Sequence, residues 1–286
     1  MIKVRLSAFA DEAGNSINEQ ISVLKKNGIY SVELRSIDKI NVSDFTSEQA
    51  KEYHKTFLDN GVQVWAIGSP LGKVDIDCDF NAYKDKIRHV CQLANIFETD
   101  RIRAFSFFNA YNQRQKVMDY LSEMVNIAKE YGVCICHENE KDIYGDTSER
   151  VLDLIYNVDG LKIIYDPANF IQCGELADKT LNLFHTNAEY FHIKDVIAST
   201  DELVPAGYGD GKIDRLINML DRSVTLTLEP HLAVFDAFKS IDKSIMKHKF
   251  KFENNEQAFT FAVNALKELL SKNGYVEKDG YFIKNV

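Results

Sequence analysis

Long hydrophobic runs are missing from this chain. Nowhere does it approach the roughly 18 uninterrupted apolar residues that a membrane helix needs, so no membrane partner is expected. The opening MIKVRLSAFADE turns acidic too soon for a signal peptide, and a cytoplasmic location is therefore expected. Proline is scarce, with four among 286 residues, and no Ser/Gly-rich stretch interrupts the sequence. Without such a linker, residues 1–286 read as one domain. An excess of positive charge is lacking too: 34 basic against 43 acidic residues give a formal charge of -9, which repels a polyanion at long range, and no basic patch offsets it. No nucleic-acid partner is expected. The five cysteines stand at irregular spacings and read as reduced thiols, with Cys134 and Cys136 packing on one strand face. Also absent is a G-x-G-x-x-G after the first strand, where SAFADEAG offers one late glycine, and this argues against a dinucleotide-binding open sheet.

What is present is a regular alternation. Short β-rich runs occur at residues 3–9, 30–35, 62–68, 101–107, 133–138, 161–166, 189–194 and 224–229. Helical patterns lie between and after them, at 16–26, 47–60, 83–97, 114–131, 148–157, 176–184, 213–221 and 256–271. Glycine follows three of these patterns, at Gly28, Gly61 and Gly132, as it does at helix C-termini. Eight strand-then-helix units predict an α/β fold of the closed (β/α)8, or TIM, barrel type. The tail YVEKDGYFIKNV reads as a short C-terminal hairpin turning at Asp279-Gly280.

In such a barrel the C-terminal ends of all eight strands open on one mouth, where chemistry is built. The last four strands end in Glu138, Asp166, His192 and Glu229. Counting back in twos, each shares a face with apolar or small residues of its own strand, so all four can point inward. Three carboxylates and one imidazole suit Mn²⁺, Mg²⁺ or Co²⁺ in an open site better than a closed zinc site. This explains why CICHENE, an apolar alternation, ends in a polar cluster.

At these residues the chain resembles the xylose isomerase-like barrel superfamily, and within it the sugar phosphate isomerase/epimerase branch. The similarity also runs through SAFADE (7–12), VELR (32–35), GSPLGK (68–73), FSFF (105–108), HENEKDIYGD (137–146), DPANF (166–170), HIKD (192–195), PAGYGDG (205–211) and LEPHL (228–232). The resemblance implies that Glu138, Asp166, His192 and Glu229 bind one divalent cation, Mn²⁺ by preference, with Mg²⁺, Co²⁺ or Zn²⁺ as alternatives. It further implies that Glu138 and Glu229 are the catalytic acid/base pair. The activity implied is isomerisation or epimerisation of a small sugar, keto-polyol or sugar phosphate, by proton transfer through a cis-enediolate that the cation stabilises. HIKD and GDGKID (209–214) look more like the inosose dehydratase and hydroxypyruvate isomerase side, which keeps a dehydratase as an alternative. A sugar-binding barrel without turnover is another.

Departures narrow the expectation. Ketose 3-epimerases of the superfamily carry His, Glu and Arg where this chain has Asn169, Tyr144 and Ala198. Apurinic-site endonucleases use extra histidines, where this chain has Ser69, Phe107 or a neighbour, Asn169 and GYGDG. The expected partner is a small carbohydrate, with self-association left open.

Substrate contacts are expected from Lys73, Asn169, Lys194, His231 and Arg35. Glu33 and Arg35 share one face of the second strand and, with Arg103, read first as a structural ion pair, since an unpaired buried charge is too costly. His137 has the opposite parity to Glu138 and should face the helices. His54, His89, His185 and His248 fall in helical or loop stretches. Phe9, Trp65, Phe107 and Phe108 could wall the apolar side of the pocket, although core packing is the commoner use of such residues.

Overall fold

The computed structural model describes residues 1–232 and 250–285, so His248 lies outside the described residues. Eight parallel strands occupy the expected places: β1 (Ile2–Ala8), β2 (Ser31–Leu34), β3 (Gln63–Leu71), β4 (Arg101–Ala104), β5 (Cys134–Glu138), β6 (Lys162–Tyr165), β7 (Ala188–Ile193) and β8 (Val224–Leu228). They pair in sequence order from β2 to β8, and β8 then pairs with β1. This is the sheet of a (β/α)8 barrel.

The seam between β1 and β2 departs from the closed barrel expected. The two strands touch, but no hydrogen-bonded ladder joins them among the described residues. The cause is the C-terminal hairpin, β9 (Val276–Lys278) and β10 (Tyr281–Lys284), whose second strand pairs antiparallel with Ile2 to Arg5. The lower free edge of β1 is thereby satisfied by the tail, so the hairpin is part of the sheet. Asp279 and Gly280 both adopt positive φ, as a tight two-residue hairpin turn demands.

The helices begin where the sequence supplies caps. α1 (Ile17–Lys26) and α2 (Ser47–Asp59) open with reciprocal capping boxes, Ser16 with Glu19 and Thr46 with Gln49. α3 (Phe80–Ile96) starts three residues before its expected place because the Asp79 carboxylate accepts from the N–H groups of Asn81 and Ala82. α4 (Arg114–Glu130), α5 (Ser148–Asn157), α7 (Ala177–Phe184), α8 (Ile213–Met219) and α9 (Asn255–Lys272) follow the expected pattern, and a short α6 (Pro167–Gln172) adds one turn directly after β6. Val90, Leu93, Leu121, Val125 and Leu154 bury their side chains between this outer ring and the sheet. No helix among the described residues is long and apolar enough to cross a membrane.

Candidate metal centre at the barrel mouth

Four consecutive strand ends deliver the expected residues to one place. Glu138 is the last residue of β5, Asp166 and Glu229 stand one beyond β6 and β8, and His192 is next to last in β7. All four are at most 3% exposed. A ligand atom from each lies within 4.8 Å of the others.

Each carboxylate divides its oxygens between holding and reaching. Asp166 is the N-cap of α6: its Oδ1 accepts from the Asn169 N–H at 3.0 Å, which leaves Oδ2 for the mouth. Asn139 locks the same turn by bonding both the N–H and the carbonyl of Asp166 at 2.9 Å. Glu138 Oε2 accepts from Arg103 Nη1 at 3.1 Å, and its Oε1 lies 3.0 Å from His192 Nδ1. Glu229 Oε1 accepts from Arg35 Nη1 at 3.1 Å, and its Oε2 lies 3.2 Å from His192 Nδ1. The two arginines are themselves anchored. Arg103 donates to the carbonyls of Gly68 and Ser69 at 3.1 and 3.4 Å, and Arg35 forks onto Asp11 with two bonds of 2.9 Å.

Electrostatics follow from burial and these neighbours. Burial pushes Glu138 up, but His192 and Arg103 outweigh it and bring the carboxyl down to about 2. Glu229 is likewise held well below its ordinary range, because Lys194 and His231 overcome burial. Asp166 rises to about 7, since burial exceeds the help from Lys194. Burial would make His192 less basic, yet Glu138 and Glu33 raise it well above the usual imidazole range. Glu12 rises to about 8 through burial, against Arg35.

The residues fit a divalent cation. Asp166 Oδ2 and Glu229 Oε2 are buried and accept no hydrogen bond among the described residues, so Lys194 and His192 offset their charge while their acceptor capacity stays unused. Lys194 Nζ approaches them at 3.0 and 3.8 Å without a hydrogen bond to either. Three carboxylates and one imidazole nitrogen are a donor set for a hard or borderline divalent ion.

The other expected contacts also have definite places. Asn169 Nδ2 donates to the Asn139 carbonyl at 2.9 Å and to Glu138 Oε1 at 3.3 Å. His231 Nε2 lies 3.3 Å from Glu229 Oε1 and 3.4 Å from Glu12 Oε1. Lys73 pairs with Glu140 at 3.0 Å and lies over the Phe105 ring. It is set there by Gly72, whose φ is +85° and where a Cβ would come within 2.0 Å of the Phe105 carbonyl.

Three expectations are corrected. Glu33 and Arg35 do not pair with each other: Arg35 serves Asp11, Glu12 and Glu229, whereas Glu33 binds Tyr190 and His192. Trp65 lies between Arg5 and Arg101 at the opposite end of the barrel, because it comes early in β3. Phe107 packs on Phe80 and Tyr120 outside the sheet, since β4 ends at Ala104 and the backbone turns left-handed at Phe107. Phe108 is half-buried and bridges to Asp75 and Ile143 through its backbone. Phe9 does border the site, edge-on to His192 at 5.2 Å with Arg35 and Arg103 over its ring. His137 faces away from the mouth and meets Ser106 Oγ at 2.9 Å. Asp11 and Glu12 were missed as members of the site, although SAFADE carries them to the end of β1.

A model of the family described as Xylose isomerase-like TIM barrel matches residues 21–241. The chain belongs to this family. No curated protein matches the chain. Among solved structures, the probable 3-DHS dehydratase AsbF of Bacillus anthracis, involved in petrobactin synthesis, aligns with a TM-score of 0.70 and 17% identity over 93% of this chain and 99% of its own. The IOLI protein with a binding zinc atom aligns at 0.71 and 17%, covering 94% and 99%. A D-psicose 3-epimerase, solved in the presence of D-fructose, aligns at 0.72 and 13%, covering 92% and 97%. At these identities the likeness establishes the fold, and the solved structures that share it include a D-psicose 3-epimerase and a probable dehydratase.

Proposed function

We propose that this protein is a divalent-metal-dependent isomerase or epimerase acting on a small sugar, keto-polyol or sugar phosphate. One observation carries the reading: four strand ends converge, with two buried carboxylate oxygens that accept no hydrogen bond among the described residues. Glu138, Asp166, His192 and Glu229 would hold the ion, with Mn²⁺ the preferred choice for this donor set. When bound, the ion supplies Lewis acidity that acidifies the C–H beside a substrate carbonyl.

The chain's own residues do the rest. Glu138 and Glu229 approach the site from different strands and form the acid/base pair: Arg103 and His192 keep Glu138, and Lys194 keeps Glu229, in the ionised form that accepts a proton, and the carboxyl protonated in that step then serves as the donor. Phe9 closes one wall of the pocket and excludes water. Lys194, His231 and Lys73 supply donors for hydroxyl or phosphate oxygens, Asn169 holds Glu138, and Arg35 fixes Glu229. Incubation with Mn²⁺ in deuterium oxide should place deuterium on the carbon next to the carbonyl of a ketose, an inosose or a sugar phosphate. Failure to exchange with any of these classes would reject the reading.

Lys194 favours a second reading, a dehydratase. Its buried ammonium approaches Asp166 Oδ2 at 3.0 Å and could hydrogen-bond a departing β-hydroxyl, which leaves as water with the proton that the glutamate has just abstracted. Appearance of an ultraviolet-absorbing enone would select this outcome over reprotonation.

A further inference from the structure

Glu33 is fully buried near the end of β2, and the proton-transfer chemistry gives it no task. Its two oxygens are nevertheless both used. Oε2 lies 3.1 Å from His192 Nε2, and Oε1 accepts from the Tyr190 hydroxyl at 2.9 Å. Tyr190 and His192 are two residues apart on β7 and therefore share a face, so a single carboxylate from β2 spans both. On its other side the imidazole presents Nδ1 to Glu138 Oε1 and Glu229 Oε2, at 3.0 and 3.2 Å. The two ring nitrogens thus face different tasks, one toward Glu33 and one toward the cluster of oxygens.

We infer that Glu33 is a positioning residue which, seated by Tyr190, accepts the Nε2 proton of His192 and so commits the Nδ1 lone pair to a divalent cation. The physical reason is that a neutral imidazole carries one proton, and the acceptor at one nitrogen decides where it sits. An anionic acceptor also makes the opposite nitrogen a better ligand. Tyr190 takes one carboxylate oxygen, and the other serves the histidine.

The inference rests on the metal-centre reading, and the test separates the two. Mn²⁺ binding is measured by titration calorimetry on the full chain, and the His192 tautomer is read by ¹⁵N NMR of the imidazoles with diamagnetic Zn²⁺. If the wild-type protein binds no divalent ion, the metal-centre reading itself fails. If it binds, Glu33→Gln should weaken affinity by about 10- to 100-fold. A glutamine has one acceptor oxygen for two donors, and its amide N–H₂ pointed at His192 would drive the proton onto Nδ1.

Adding Tyr190→Phe to Glu33→Gln removes the competing donor and lets the glutamine carbonyl turn to His192. The double variant should recover part of the lost affinity and return the proton to Nε2, which damage to packing alone would not produce. Tyr190→Phe alone retains the carboxylate and covers the case in which Glu33→Gln does not fold. It should bind Mn²⁺ with nearly wild-type affinity and show the proton on Nε2. Wild-type affinity in folded Glu33→Gln, or a proton on Nδ1 in the Tyr190→Phe protein, would overturn the inference.

Discussion

The two ends of this barrel are built from the same parts and put them to different uses. At the N-terminal end, Arg5 and Arg101 lie against the Trp65 ring at 4.4 and 4.1 Å, and Arg101 pairs with Glu189 at 2.9 Å. At the C-terminal end, Arg35 and Arg103 lie against the Phe9 ring at 4.4 and 4.8 Å and hold Glu229 and Glu138. The floor is half-buried, so water screens its charges. The mouth residues are almost fully buried, and two carboxylate oxygens there accept no hydrogen bond among the described residues. Similar ion pairs therefore serve stability at one end and frame the proposed metal site at the other.

The largest effect expected is on the mouth alone. Asp166→Asn keeps the α6 cap but replaces the mouth-facing oxygen's charge, and Mn²⁺ affinity should fall by more than about 100-fold, beyond what supporting residues cost. Calorimetry showing wild-type affinity would erase the distinction between the ends. Next, the paired arginines can be compared in the metal-free protein by urea denaturation. Arg103→Met strands Glu138 in a buried site and should cost about 3–5 kcal/mol. Arg101→Met breaks a partly exposed pair and should cost about 1 kcal/mol or less. Equal losses would show that burial does not separate the two.

A pH series sharpens the contrast further. Asp166 and Glu12 have folded-state pKa values raised to about 7 and about 8 by burial, above their ordinary values of 3.8 and 4.5. A raised pKa stabilises the fold fully below the unfolded value, and this contribution is lost as pH rises through the folded value. His192, also raised, acts in the same direction above its ordinary 6.5. Burial lowers His137 and His231 to about 4, and their contribution rises with pH up to 6.5 and opposes this trend there. Thermal melts of the metal-free protein should therefore fall between pH 7 and pH 9 by several degrees, and saturating Mn²⁺ should flatten the slope by replacing the protons. The smallest effect belongs to the floor: Trp65→Phe should cost about 1 kcal/mol through a weaker cation–π contact and leave Mn²⁺ affinity unchanged.

Much of the mouth was legible because β-strand geometry is local. A period of two decides which side chains face inward, and the strand-end position of Glu138, Asp166, His192 and Glu229 follows from counting. That same period says nothing about height along the barrel, so Trp65 could be assigned inward and still be placed at the wrong end. Phe107 was misjudged for another reason: its strand stops at Ala104, and the left-handed turn that follows depends on contacts with β3, where Phe105 N–H donates to Leu71 and Phe107 N–H to Gly72. Glu33 and Arg35, one strand and two residues apart, took different partners because their neighbours across the barrel come from β1, β7 and β8. No local pattern ranks Asp11, Glu229 and His192 as competitors for them.

The hairpin shows the same division. Its turn at Asp279-Gly280 is written in two residues that tolerate positive φ, but its docking on Ile2 to Arg5 required β1 to have a free edge. The sequence alone determined the eight units, their helix caps and the inward identity of the four strand-end residues, because hydrophobic period, capping and side-chain chemistry act over a few residues. Tertiary structure decided which oxygen of each carboxylate is spent, which nitrogen of His192 faces Glu33, and where the barrel seam is filled. Those choices are settled by competition among groups as far apart in the chain as Arg35 and Glu229 or Ile2 and Lys284, and only the folded chain brings the competitors together.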